Sequence, residues 1–238
     1  YVVSGLFHAN PDVSRLQDNY RTYAPDFGSI SQVYNGMDVN VSARLAGGVQ
    51  LQAGSSTGQR VTDYCEVRAL LPEQTGGFST GSEVPAYSPT NPYCHHAPGI
   101  TTRVTAAGTY VIPTLDVQLS GTFQSQPGIP LAANYNVPNA VAAASLGRPL
   151  SNNAQFVTVN LIEPGTVRAE RDNRLDVRVG KLLRFGSQRA NIALDVYILL
   201  NLDTVLTYNQ TFVPGGNWLV PTSVLTARTA KITVQYDF

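Results

Sequence analysis

The chain has 238 residues, with 16 Lys and Arg against 16 Asp and Glu. This zero formal charge removes the electrostatic argument for a nucleic-acid partner, and we expect none. Charged residues are 13% of the sequence, about half the usual share of a soluble domain. The sequence contains no apolar run of the roughly 18 residues that a transmembrane helix needs, so any membrane-spanning part would have to be a β-barrel.

The first ten residues, YVVSGLFHAN, contain neither the basic region nor the apolar core of a secretory signal. They also lack an initiating methionine. We therefore expect Tyr1 not to be the natural start, and the chain to be part of a longer protein.

Strict alternation of apolar and polar residues, the two-residue period of a half-buried β-strand, recurs along the chain. Residues 100–111 alternate more weakly, because Ala106 and Gly108 dilute the apolar face. Helical periodicity is nowhere comparable, and the best candidate helix is the Ala-rich PNAVAAASLG. These patterns predict an all-β, antiparallel meander of about eight long strands. The strongest strand segments are YNGMDVNVSARL, GVQLQAGSS, LDVQLSGTFQ, RLDVRVGKLLRF, NIALDVYILL and KITVQYDF.

Three short connections, AGG, VIPT and GSQR, are predicted to be tight hairpin turns. Each turn keeps the apolar residues of its two strands on one face of the sheet. The predicted apolar pairs are Ala43 with Leu51, Leu119 with Ala106, Val179 with Val196 and Val177 with Ile198. The predicted polar pairs of the last hairpin are Arg178 with Tyr197 and Asp195 with Gly180.

Between the hairpins lie three long segments rich in Pro, Gly, Ser, Thr and Asn, at residues 57–99, 125–172 and 202–223. Short turns on one rim and long loops on the other are typical of a transmembrane β-barrel, whereas a soluble sandwich has connections of mixed length. The predicted strands of about 10 to 14 residues are long enough for the roughly 9–11 residues that a tilted strand needs to cross a bilayer. The pattern therefore favours a barrel.

The polar face of such a barrel would line its lumen. The charges predicted to face the lumen are Arg44, Asp116, Arg178 and Asp195. The alternative for these side chains is lateral pairing that stiffens the barrel wall. Lys181 is the one charge on the apolar face, and its place near the GSQR turn would let its ammonium group reach the membrane interface.

Two cysteines, Cys65 and Cys94, lie in the first long segment, and this even pair predicts one disulfide formed in an oxidising compartment. The sequence contains only weak signals for catalytic or metal-binding residues. GSSTG places Ser56 at the centre of a G-x-S-x-G pattern, but extended chain follows it where a nucleophile elbow needs a helix. His95 and His96 have no second cluster of ligands with which to hold a metal. We expect no enzyme, no cofactor and no metal site.

The last strand ends on an aromatic residue, and it resembles the signal by which outer-membrane barrels are recognised for insertion. The residues that carry this resemblance are Ile232, Val234, Tyr236 and Phe238. We therefore expect Phe238 to be the natural end of the parent protein.

Longer segments extend the resemblance over nearly the whole chain. RLDVRVGKLLRF, NIALDVYILLNLDTVLTYNQTF and PTSVLTARTAKITVQYDF resemble the C-terminal hairpins of TonB-dependent receptors, in particular the group with an N-terminal carboxypeptidase-regulatory-like domain. GTFQSQPGIPLAANYNVPN and NPYCHHAPG resemble extracellular segments of that group. The family's TonB box, plug domain and first strands have no counterpart here.

The resemblance implies that residues 1–238 are the C-terminal part of a plugged barrel of roughly 22 strands in the bacterial outer membrane. Its implied function is energy-coupled import of a scarce nutrient: an iron chelate, a vitamin or an oligosaccharide. The implied partners are the lipid bilayer, the barrel assembly machinery and, through the missing plug, TonB. The alternative is a secreted or surface β-sandwich that binds glycans or proteins, which would remain monomeric without detergent.

Overall fold

A computed structural model describes residues 2–14, 16, 23–73, 89–186 and 188–237. Strands dominate these residues, and two short α-helices and two 3₁₀ turns, Ala24–Asp26 and Ser151–Asn153, accompany them. The helices are α1 (Cys65–Leu70) and α2 (Asn139–Leu146). The strands are β1 (Ser31–Leu45), β2 (Val49–Asp63), β3 (His95–His96), β4 (Thr101–Ile112), β5 (Val117–Gln126), β6 (Asn134–Pro138), β7 (Phe156–Asn160), β8 (Asp172–Phe185), β9 (Gln188–Tyr197), β10 (Val205–Tyr208), β11 (Thr211–Phe212), β12 (Pro221–Val224) and β13 (Thr229–Asp237).

Seven long strands form one antiparallel main sheet in the order β1, β2, β4, β5, β8, β9, β13, and the two-residue β3 pairs with the end of β2. The predicted all-β antiparallel meander of about eight strands is therefore confirmed. The sheet is open: within the described residues, β1 pairs only with β2 and β13 pairs only with β9.

The strand pairing confirms the first hairpin, in which Ala43 lies opposite Leu51. The predicted register of the second hairpin is wrong, because Leu119 pairs with Tyr110 and Ala106 pairs with Phe123. The strands continue to Ile112 and resume at Val117, so the turn occupies residues 113–116. Four turn residues remain, but they lie two positions further along the chain than VIPT.

The third hairpin is tighter than predicted, because β8 runs to Phe185 and pairs there with Gln188. Gly186 has a φ of 63°, and a two-residue hairpin turn requires a positive φ. The predicted pairs are each displaced by two residues. The observed pairs are Val177 with Val196, Arg178 with Asp195, Val179 with Leu194 and Gly180 with Ala193, while the chain at Tyr197 pairs with Thr229 of β13.

The two rims of the main sheet are as predicted. Residues 46–48, 113–116 and 186–187 connect adjacent strands at one end of the sheet, as the pairs Leu45 with Val49, Ile112 with Val117 and Phe185 with Gln188 require. Because consecutive strands are antiparallel, residues 64–100, 127–171 and 198–228 all leave from the opposite end.

The described residues of the three long segments contain more secondary structure than the sequence predicts. They contain α1, α2, a three-stranded sheet in the order β11, β6, β7, and the pair β10 with β12. Helix α2 was the one helix that the sequence predicted, and it ends at Gly147, whose φ of 66° is a left-handed C-terminal cap. We call these three segments, together with residues 2–14, the cap. Among the described residues, most buried hydrophobic side chains lie in the cap, including Tyr64, Val67, Leu131, Ala133 and Val159.

Candidate functional site

One face of the main sheet is apolar from its first strand to its last. Cross-strand pairing places apolar residues beside one another: Leu119 lies between Tyr110 and Val179, and Leu194 lies between Val179 and Ile232. Many side chains on this face are exposed: Met37 and Val234 each have 66% of their surface accessible, and Ile232 has 74%. An exposed apolar surface of this extent marks an interaction with lipid or with another protein.

Lys181 is a charge on this apolar face, and it lies opposite Val117, at the short-turn rim. Its ammonium group donates a hydrogen bond to the carbonyl of Leu115 in the turn between β4 and β5. The long aliphatic stem thus follows the apolar face while the charge reaches the rim.

The opposite face is polar and is cross-linked between strands. Arg178 forms an ion pair with Asp195 at 3.3 Å, and the other carboxylate oxygen of Asp195 accepts a hydrogen bond from the Thr233 hydroxyl at 3.1 Å. Thr109 and Ser120 are joined through their hydroxyl groups at 3.1 Å. This is the lateral pairing that the sequence left open as the alternative to a lumen path.

The four predicted lumen charges do not lie together. Arg44, Arg178 and Asp195 are on the polar face, with Arg44 opposite Gln50 near the short-turn rim. Asp116 is not within a strand: it lies in the turn before β5, with a φ of 51°. Its carboxylate forms an ion pair with Arg184 at 3.1 Å, because the longer β4 strand moves the turn to residues 113–116.

The terminal strand places three of its four predicted assembly residues on the apolar face. Ile232 pairs with Leu194, and Val234 and Tyr236 follow on the same face opposite Ile192 and Ala190. Phe238 lies outside the described residues.

Cys65 and Cys94 are joined by a disulfide, with their Cα atoms 4.9 Å apart. The bond ties the start of α1 to the chain just before β3. Beside it, the imidazole of His95 contacts the carboxylate of Asp63 at 2.9 Å. Among the described residues, no group of three or more His, Cys, Asp and Glu is placed to hold a metal ion. Ser56 lies within β2, opposite Asp38 and Arg103.

The cap contains a partly open cavity of about 740 Å³ that the sequence did not predict. Its walls come from β6, β7, α2, the chain around residues 212–218 and the N-terminal segment. Three aromatic side chains form one corner: Tyr135 and Phe212 meet edge to face at 6.2 Å, and Phe212 and Trp218 meet at 5.7 Å. Tyr135 is distant in sequence from Phe212 and Trp218, so no local motif predicts this corner.

The N-terminal segment closes one side of this cavity, and two arginines from different long segments hold it. Arg68 lies over the ring of Phe7 at 5.1 Å and donates a hydrogen bond to the carbonyl of Gly5 at 2.6 Å. Arg148 donates to the carbonyls of His8 at 3.1 Å and Ala9 at 3.0 Å. Burial lowers the pKa of Arg68 from its usual value, yet an arginine retains its charge at neutral pH.

No protein-family model, curated protein or solved structure matches this chain at a significant level. Neither α1 nor α2, the α-helices of the described residues, is long and apolar enough to cross a bilayer.

Proposed function

We propose that the main sheet is part of the wall of a transmembrane β-barrel in a bacterial outer membrane, as in the C-terminal part of a TonB-dependent receptor. The observation that carries this proposal is the apolar face that continues across all seven long strands, with exposed apolar side chains on every one of them except β4, where they are half-buried. In a bilayer this face contacts lipid, and the hydrogen-bonded polar face turns toward a wet interior.

Strand length and rim asymmetry support the same proposal. The seven long strands have 9 to 15 residues, enough for the roughly 9–11 that a tilted strand needs to span the hydrocarbon core. Short turns on one rim and a folded cap on the other match the expected division between periplasmic turns and extracellular loops. Closure of the barrel requires further strands between the free edges of β1 and β13.

In this proposal the protein takes part in energy-coupled uptake of a scarce nutrient and performs no chemistry on it. The cap gathers the nutrient, and the polar face lines its path. Its partners are outer-membrane lipid, the barrel assembly machinery and, through a plug domain outside this chain, TonB. The alternative of a secreted β-sandwich requires a second layer over the apolar face, and within the described residues no such layer covers it.

Two neighbouring alanines on β4 provide a matched test. Ala106 lies on the apolar face opposite Ala53 and Phe123, whereas Ala107 lies on the polar face opposite Gln52 and Thr122. Ala106→Arg places a charge against lipid at a cost of about 2–4 kcal/mol near the bilayer midplane. Ala107→Arg places the same charge against polar neighbours.

The chain and both variants are refolded in detergent, mixed with phosphatidylcholine vesicles and floated on a density gradient. We expect the unmodified chain and Ala107→Arg to float with the vesicles and Ala106→Arg to remain at the bottom. Equal flotation of the two variants would contradict a lipid-facing sheet. A folded, monomeric chain in buffer without detergent would support the sandwich alternative.

A further inference from the structure

The cavity in the cap has the dimensions and lining of a small-molecule site. Its volume of about 740 Å³ is within the range of roughly 300–1,000 Å³ that is usual for ligand pockets. Most of the lining residues are apolar, and the aliphatic ones from β6, β7 and α2 include Val137, Val141, Leu146, Val157 and Val159.

The described residues of this lining include few polar side chains. Among the described residues that line the cavity there is no Asp, Glu, Lys or Arg, and the polar side chains include His8 and Ser145. A charged ligand would lose part of its hydration there without gaining a counter-ion, and the hydroxyl groups of a sugar that face this wall would be left unpaired.

The aromatic corner adds a preference for ring systems. Trp218 donates its indole N–H to the carbonyl of Ala132 at 3.1 Å, so its polar group is already satisfied by the protein. The rings of Tyr135, Phe212 and Trp218 are therefore fixed by contacts with one another and present apolar edges and faces to the cavity.

We propose that the cap binds a small, uncharged, mainly hydrocarbon molecule that carries a ring system, and that this molecule contacts Trp218. The binding site depends only on the cap. The role of this site in nutrient import rests on the proposed function. Among the nutrient classes that the sequence left open, charged iron chelates and oligosaccharides do not match this lining. An apolar ring compound does match it.

The chain supplies its own reporter, because Trp218 is its single tryptophan and lines the cavity. The experiment titrates the refolded chain in lipid nanodiscs with 1-bromonaphthalene, whose bromine quenches indole fluorescence at short range. We expect saturable quenching of Trp218. Maltotriose and ferric citrate, added at the same concentrations, should neither quench Trp218 nor displace the probe.

Helix α2 offers a matched pair of variants. Ala142 lines the cavity, whereas Ala144 is exposed on the same helix and lies outside the lining. Ala142→Phe should fill the cavity and weaken the apparent affinity for the probe by about tenfold or more. Ala144→Phe should leave it unchanged. Ser145→Phe, also on the lining, is the second filling variant if Ala142→Phe does not fold as judged by circular dichroism.

The outcomes test the ligand site and the barrel proposal independently. Linear, non-saturable quenching that is equal in Ala142→Phe and Ala144→Phe would show probe dissolved in lipid alone and would overturn the site. Displacement by maltotriose or ferric citrate would overturn the ligand class. Vesicle flotation is measured on the same preparations. Saturable quenching without flotation would reject the barrel and support the ligand site. Flotation without saturable quenching would reject the ligand site and support the barrel.

Discussion

At the residue scale, a pair of glycines on β1 and β2 makes room for an aromatic ring. Gly36 lies opposite Gly58, and the ring of Tyr34 covers both. A Cβ atom on Gly36 would lie 2.5 Å from the Tyr34 hydroxyl oxygen and 2.7 Å from the nearest ring carbons. A ring that covers strand glycines replaces the packing that their missing side chains cannot supply.

We therefore predict that Gly36→Ala displaces the Tyr34 ring and lowers the free energy of unfolding by about 1 kcal/mol. The cost should fall toward zero when Tyr34→Ala is already present, because the clash involves only that side chain. Gly99→Ala is the control, since a Cβ there meets no atom within 4 Å. A double-mutant cycle by urea unfolding measures the coupling, and additive effects would contradict the predicted contact.

A second prediction at this scale concerns Glu66. Its carboxylate accepts hydrogen bonds from the Ser29 backbone N–H at 2.8 Å and the Ser29 hydroxyl at 2.9 Å, and these bonds lower its pKa. A lowered carboxyl pKa contributes stability above the ordinary value of about 4.3. That contribution is lost as the pH falls through the lowered value.

The Ser29 amide proton should therefore shift, in an NMR titration, with a midpoint below the ordinary range of a glutamate. Glu66→Gln should abolish this shift, and Glu73→Gln should leave it in place. A midpoint at or above the ordinary value in the unmodified chain would contradict the hydrogen bonds from Ser29.

At the element scale, the sequence predicts the strands and their faces well, but it predicts the register of only the first of the three hairpins. Alternation depends on each residue's neighbours in sequence, so the apolar side of β5 or β8 can be read directly from the pattern. Register depends on where a turn begins, and the turn positions are set by Asp116 and Gly186, each of which has a positive φ. The errors of two and four residues are even numbers, so the residues that remain in these strands keep their predicted faces, whereas Asp116 falls in a turn.

The cap is the element that the sequence could not describe. Its sheet joins β6 to the distant β11, and the Gln210 side chain accepts a hydrogen bond from the Ala132 backbone N–H at 2.7 Å. Short strands without strong alternation, in segments rich in Gly, Pro and Asn, give no local signal for such contacts. The disulfide cysteines and α2 were recognisable because each has a local or compositional signature.

Arg148 gives a prediction about how the N-terminal segment is held. We expect Arg148→Ala to remove its hydrogen bonds to His8 and Ala9 and to loosen the segment by about 1–3 kcal/mol. The reporter is the amide of Phe7, which is hydrogen-bonded to the carbonyl of Pro89 at 3.0 Å.

Hydrogen exchange of the Phe7 amide should be faster in Arg148→Ala than in the unmodified chain. Arg103→Ala removes an arginine from the exposed surface of β4 and should not change this exchange. Equal exchange in all three proteins would mean that the segment is held by the Arg68 contacts alone.

At the scale of the whole molecule, the main sheet and the cap are stabilised in different ways. The main sheet exposes its apolar face and, in our proposal, is stabilised by lipid, whereas most of the buried hydrophobic side chains of the described residues belong to the cap. The cap has only short strands, and the Cys65–Cys94 bond closes a loop with a sequence separation of 29 residues within it. A disulfide of this kind contributes about 2–4 kcal/mol by restricting the unfolded chain.

We therefore predict that the chain in lipid nanodiscs unfolds in two steps in urea. Trp218 fluorescence reports the cap and should change at the lower urea concentration, and far-UV circular dichroism, dominated by the seven long strands, should change later. The double variant Cys65→Ser/Cys94→Ser should lower the first midpoint and leave the second unchanged, because the main-sheet pairing does not include the disulfide. Coincident transitions, or a shift of both midpoints in the double variant, would mean that the cap and the sheet unfold as one cooperative unit.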